Sequence, residues 1–130
     1  MEQKVAQGEQ MLARIVRGAK RIFIACGHTD LRYGIDGLAS RVQLQIGEPS
    51  QVGNIYLFCG RKPDRIKVLC WDSNGCLVLY KRLETGKFQW PRKSQEIMDI
   101  SQQQCRWLLE GLSIEQPKAL KAVEKVILYD

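Results

Sequence analysis

Apolar and polar positions alternate in three distinct rhythms along the chain. Residues 21–26, RIFIAC, form a short β-prone run ended by Gly27 and read as a first strand. Ile35, Leu38, Ala39, Val42 and Ile46 then follow the i, i+3, i+4, i+7, i+11 spacing of one helical face. Asp36 falls in the first turn of that helix, where a carboxylate offsets the positive dipole end, and Gly47 with Pro49 closes it. Residues 54–59, NIYLFC, are continuously apolar, the pattern of a central strand covered on both faces.

The third rhythm is a hairpin. Strands at 64–71 and 76–82 flank Asp72-Ser73-Asn74-Gly75, and Asn-Gly between alternating runs is a strong hairpin signal. A loop of two or of four residues gives the same pairing parity. Arg65, Lys67, Leu69 and Trp71 then share one face with Cys76, Val78, Tyr80 and Arg82. Ile66, Val68 and Cys70 share the other with Leu77, Leu79 and Lys81, and this nearly apolar face belongs to the core.

The remaining elements are shorter. Thr85-Gly86 makes a turn, and Lys87-Phe88-Gln89-Trp90 reads as a brief alternating strand stopped by Pro91. Ser101-x-x-Gln104 matches a capping box and opens a helix with Cys105, Leu108, Leu109 and Leu112 on one face and Trp107 away from it. Residues 1–17 form an arm or weak helix interrupted by Gly8. Beyond Pro117, Leu120, Val123 and Ile127 outline a last amphipathic helix over 117–130. Between them, 18–116 reads as a single α+β domain, a mainly antiparallel sheet with a central basic hairpin and helices packed on one side.

Composition narrows the class. With 130 residues, 45% hydrophobic and 26% charged, the chain matches an ordinary globular protein. Its longest apolar runs are too short to cross a bilayer, and the polar MEQKVAQGEQ does not resemble a secretory signal, so a cytoplasmic setting is expected, without membrane contact. The 5 cysteines suit reduced thiols, four of them inside apolar patterns, and with one His and no CxxC pair neither a metal nor another cofactor is expected.

Charge changes the picture more. The chain carries a net charge of +6. Residues 61–93 hold nine Lys and Arg against three acids, an excess of six, while the rest is balanced. Concentrated cations with interleaved aromatics point to a nucleic-acid surface: cations neutralise phosphates and rings stack on bases or sugars. Arg61, Arg65, Lys67, Trp71, Tyr80, Arg82, Trp90 and Arg92 are the candidate contacts. The same pattern also fits strands that use Lys and Arg to block edge pairing, with Trp and Tyr packed under a neighbouring helix.

Other chemistry is less well supported. Cys26, His28 and Asp30 have the residue types of a nucleophile, base and orienting group, but a triad is defined by geometry, and turn chemistry explains them. Asp30, Asp36, Asp64 and Asp72 each have a local role and do not compose a two-metal centre. Arg32 is placed to pair with Asp30 or Asp36, or to reach a phosphate. Trp107, with Leu120, Val123 and Ile127 of the terminal helix, forms a candidate partner or self-association surface.

The ordered blocks IFIACGHTDLRYGIDGLA and LFCGRKPDRIKVLCWDSNGCLVLYKRLETGKFQWPR resemble the second-open-reading-frame accessory proteins, often labelled TnpB, of the insertion-sequence-sixty-six family of bacterial transposable elements. The similarity spans roughly residues 21–112 and is unrelated to the RNA-guided nuclease of the same label. It implies a helper in transposition, not an enzyme, encoded beside a separate transposase that holds the catalytic acids. On that basis the expected function is non-catalytic binding of element-end DNA through the hairpin face. The alternative is a module that docks on the transposase without touching DNA.

Overall fold

The computed structural model of the protein describes residues 11–120. Its elements in order are α1 (Met11–Arg17), β1 (Arg21–Ala25), α2 (Ile35–Ile46), β2 (Asn54–Cys59), β3 (Arg65–Asp72), β4 (Gly75–Arg82), β5 (Ile97–Ile100) and α3 (Gln102–Leu109). The strands form one sheet in the order β4-β3-β2-β1-β5. β1 and β2 run parallel, and every other neighbouring pair is antiparallel. Because parallel neighbours need a crossover, α2 lies between them in sequence. The architecture is therefore α+β with a mainly antiparallel sheet, as the patterns predict.

Strand alternation divides the core in two. Ile22, Ile24, Ile55, Leu57, Ile66 and Val68 pack with Leu12 and Val16 of α1 and with Cys105 and Leu108 of α3. Phe23, Ala25, Tyr56, Phe58 and Leu69 pack on the opposite face against Leu38 and Val42 of α2. Helices thus cover both faces, which corrects the expectation that they lie on one side. The reason is visible in β2, every residue of which is buried: a strand without a polar face needs cover above and below. Burying each of its large apolar side chains contributes about 1.5–3 kcal/mol.

Local chemistry agrees with the expected boundaries of α2. Its C-cap Gly47 takes φ 88°, a left-handed conformation that favours glycine, and donates its N–H to Gln43 O. The capping box of α3 is present, with Gln104 N donating to Ser101 Oγ at 3.0 Å and Ser101 N donating to Gln104 Oε1 at 2.9 Å. The hairpin pairs Arg65 with Arg82, Lys67 with Tyr80 and Asp72 with Gly75, so the predicted face parity holds around a Ser73-Asn74 loop.

Several elements differ from expectation. Residues 87–90 are not a strand. Phe88 and Trp90 alternate inward as anticipated, at 2% and 5% exposure, but the segment lies over the sheet and ties Phe88 N to Pro63 O. The edge position beside β1 belongs instead to β5, which short and mostly exposed IMDI does not announce. Helix α3 stops at Leu109, leaving Leu112 exposed beyond it. Residues 117–120 are non-helical, Leu120 is exposed, and Val123, Ile127 and the rest of the anticipated terminal helix lie outside the described residues, as does the arm before Met11.

Candidate anion-binding cleft

Beyond the carboxyl ends of the parallel strands β1 and β2, their following loops separate and leave an open cleft of about 1060 Å³. Its lining includes His28, Thr29, Asp30, Arg32 and Tyr33 after β1, Gly60, Arg61 and Lys62 after β2, and Arg65, Lys67 and Tyr80 of the hairpin. Arg41 of α2 completes it. Six cations therefore meet one carboxylate in the lining.

The backbone fixes these loops. Gly27 turns at φ 76°, a left-handed conformation that strains any residue with a Cβ; the nearest group to an added Cβ, the amide end of Gln95 at 2.5 Å, could swing aside. Gly27 N donates to Pro91 O at 2.8 Å, and Thr29 N donates to Cys59 O at 2.8 Å, joining the first loop to the end of β2. Arg92 holds the opposite wall, with its terminal nitrogen donating to Gly60 O at 3.0 Å and Arg61 O at 3.4 Å.

Electrostatics sort the cations. Arg32 grips both oxygens of Asp30 at 2.6–3.1 Å, and its own N–H adds a third partner at 3.0 Å. These hydrogen bonds, those of the side chain first, hold the Asp30 carboxyl down at about 2. Arg65 is similarly paired with Asp64, Nε to Oδ1 at 2.7 Å, and lowers its pKa. Lys67 forms no ion pair with a carboxylate among the described residues; its Nζ donates to Tyr33 O at 2.9 Å and lies 6.0 Å from the Tyr80 ring centre. Tyr80 and Tyr33 are exposed, so rings and charges occupy one surface.

The expected contact residues are divided by this geometry. Arg61, Arg65, Lys67 and Tyr80 come together in the cleft. Arg82 is exposed opposite Arg65 in the ladder, outside the lining. Trp71 lies toward the hairpin turn, with Nε1 donating to Ser50 Oγ at 2.6 Å. Trp90 requires correction as a nucleotide contact: its ring is in the core and its Nε1 donates to Ala25 O at 2.8 Å. A buried Trp satisfied by a backbone carbonyl has no surface to offer a base. Trp107, on α3, is partly buried.

Thr29, Tyr33, Arg41 and Lys62 line the cleft outside the expected contact set. Thr29 and Tyr33 look like turn chemistry. The signal at Arg41 is its place immediately before buried Val42 and three residues after buried Leu38, at the margin of an apolar stripe.

Thiol chemistry is disfavoured at the same loop. Burial, then Glu96, pushes the Cys26 thiol up, and its Sγ lies 3.9 Å from Met98 Sδ. Burial likewise raises Cys59 to about 11 and Cys105 to about 12. A nucleophilic cysteine needs the opposite shift. Asp30, moreover, is committed to Arg32.

Comparison with known proteins places this geometry in a lineage. Residues 20–119 match the family model described as IS66 Orf2 like protein. The chain is 38% identical over 98 residues to "Uncharacterized protein y4hO" of Sinorhizobium fredii, covering 75% of this chain and 85% of that protein. It is 30% identical over 92 residues to "Uncharacterized protein y4jC" of the same organism, covering 71% and 79% respectively. No solved structure matches. With the whole sheet and the whole cleft inside the matched span, the chain belongs to the IS66 Orf2-like family of insertion-sequence accessory proteins.

Proposed function

We propose that this protein is a cytoplasmic, non-catalytic accessory factor in transposition that contacts DNA at the ends of its element through the cleft, beside the transposase. The observation that carries the reading is the convergence of Arg41, Arg61, Lys62 and Lys67 with Tyr33 and Tyr80 at one concave surface, from which Asp30 is electrostatically withdrawn by Arg32. Such a surface offers phosphate neutralisation and stacking platforms together. It shifts the expected interface from the whole hairpin face to the end of the hairpin nearest the β1 and β2 loops.

The test is fluorescence anisotropy with single-stranded and duplex DNA across a salt series. Affinity should fall with a log–log slope of about −0.7 per neutralised phosphate for single strands and about −0.9 for duplex. Arg61→Glu combined with Lys67→Glu should remove most binding at low salt while the circular dichroism spectrum stays unchanged. Wild-type affinity in that double variant overturns the reading, and a wild-type protein that binds no DNA at low salt leaves docking on the transposase in its place.

A further inference from the structure

The floor of the cleft differs from its cationic rim. Thr29 is 2% exposed, and its hydroxyl oxygen has no hydrogen-bond partner. The Nε of Arg41 is also buried without one. Among the described residues these are the buried side-chain nitrogen and oxygen atoms left in that condition, and both belong to the lining of this one cleft. Buried polar atoms are nearly always paired with protein, ordered water or a ligand, so two orphans from separate elements in one depression are donors that a bound ligand can satisfy.

Their chemistry specifies the partner. Arg41 Nε–H can only donate, and the Thr29 hydroxyl can donate, so the ligand must bring acceptor oxygens. The Thr29 backbone N–H is already used by Cys59 O, leaving the hydroxyl as the group available to it. Lys67, Arg61 and Lys62 at the rim require the ligand to be anionic. Asp30 opposes an anion, but its two oxygens are occupied by Arg32. The location, outside the carboxyl ends of parallel strands, is where open sheets commonly receive phosphate-bearing ligands.

We propose that Thr29 and Arg41 form a seat for one phosphate group, and that in function this group projects from the end of a DNA strand. Thr29 is 2% exposed, and a terminal phosphate, tethered on one side only, has more freedom to approach such a buried donor than a phosphate fixed within an intact duplex. The choice of DNA as the source rests on the function proposed above. The phosphate chemistry of the seat does not.

The full-length protein, its Thr29→Val variant and its Arg41→Gln variant should be titrated with inorganic phosphate and with a short single strand ending in either phosphate or hydroxyl. Wild type should favour the phosphate-ended strand about tenfold, the loss of one charge-assisted hydrogen bond being of that order. Thr29→Val, a near-isosteric change that removes an unpartnered hydroxyl, should keep the melting temperature and abolish that preference. Arg41→Gln should abolish it as well. If the strand ends bind equally in wild type, or both variants keep the preference, the seat is overturned, and DNA binding that persists in the variants leaves the broader reading intact. Thr29-dependent binding of inorganic phosphate without binding of either strand supports the seat and overturns DNA as its source.

Discussion

One face of the β3–β4 ribbon has two fates. Toward the turn, Leu69 is fully buried, Val78 and Cys76 pack partly against the α2 side of the core, and Trp71 is held by Ser50. Toward the other end, on the same face and in the same register, Lys67 and Tyr80 open into the cleft while Arg82 remains at the surface. Register makes the two ends equivalent in direction. What separates them is whether the α2 side covers them, and that cover ends where the loops after β1 and β2 part. A ribbon of this kind anchors at one end and presents its side chains at the other.

Substitution across this boundary gives the largest expected contrast. Leu69→Ala should destabilise the protein by about 2–5 kcal/mol, because it removes a buried side chain between the sheet and α2. Tyr80→Ala, two ladder steps away on the same face, should change stability by no more than about 0.5 kcal/mol. Urea denaturation of both variants checks the pair, and equal losses would show that the two ends of the ribbon are packed alike.

A smaller effect is expected where the anchored end meets its polar tie. Trp71→Phe keeps most of the ring but deletes the donor to Ser50 Oγ, and should cost about 1 kcal/mol. Ser50→Ala should cost a similar amount, and the double variant should not add the two losses, since one hydrogen bond is being removed in both. Additive losses in a double-mutant cycle would separate the residues energetically and weaken the account of the anchored end.

The smallest effect belongs to the cleft itself and appears with pH. Asp30 titrates at about 2 in the folded chain, below the value of about 3.9 for an unfolded Asp. Its ion pair with Arg32 therefore adds stability that is complete above about pH 4 and is lost as pH falls toward 2. Both partners are substantially exposed, so the contribution is small. Asp30→Asn should make the acid limb of the stability curve slightly shallower. A two-dimensional NMR titration in which the Asp30 carboxyl moves at its ordinary value would show that Arg32 does not grip it in solution.

Legibility followed the range of the interactions. The α2 spacing, the capping box at Ser101 and the parity of the hairpin are set by neighbours a few residues apart, and each agrees with the structure. The unbroken apolar run of β2 also declared its double cover, although reading the helices as one-sided failed to use it. Trp90 misled because its flanking cations resembled a binding strand. Burial of its ring is decided by Ala25 and the sheet beneath, more than sixty residues earlier in sequence. The edge strand β5 was hidden for a related reason: only one of its four residues is buried, so it lacks the apolar alternation that marks a half-buried strand.

The sequence by itself determined the helix and hairpin units, the local concentration of positive charge and the family, because periodicity, turn residues and ordered motifs are properties of the chain in one dimension. Tertiary structure alone decided which cations act together. Arg41 stands twenty residues before Arg61, and Thr29 a further twelve before Arg41; they meet because β1 and β2 run parallel and open their loops at the same end. It also decided which charges are spent. Asp30 is answered by Arg32 and Asp64 by Arg65, while the buried hydroxyl of Thr29 finds no partner among the described residues. Pairing and burial depend on distance in space, which no spacing along the chain records.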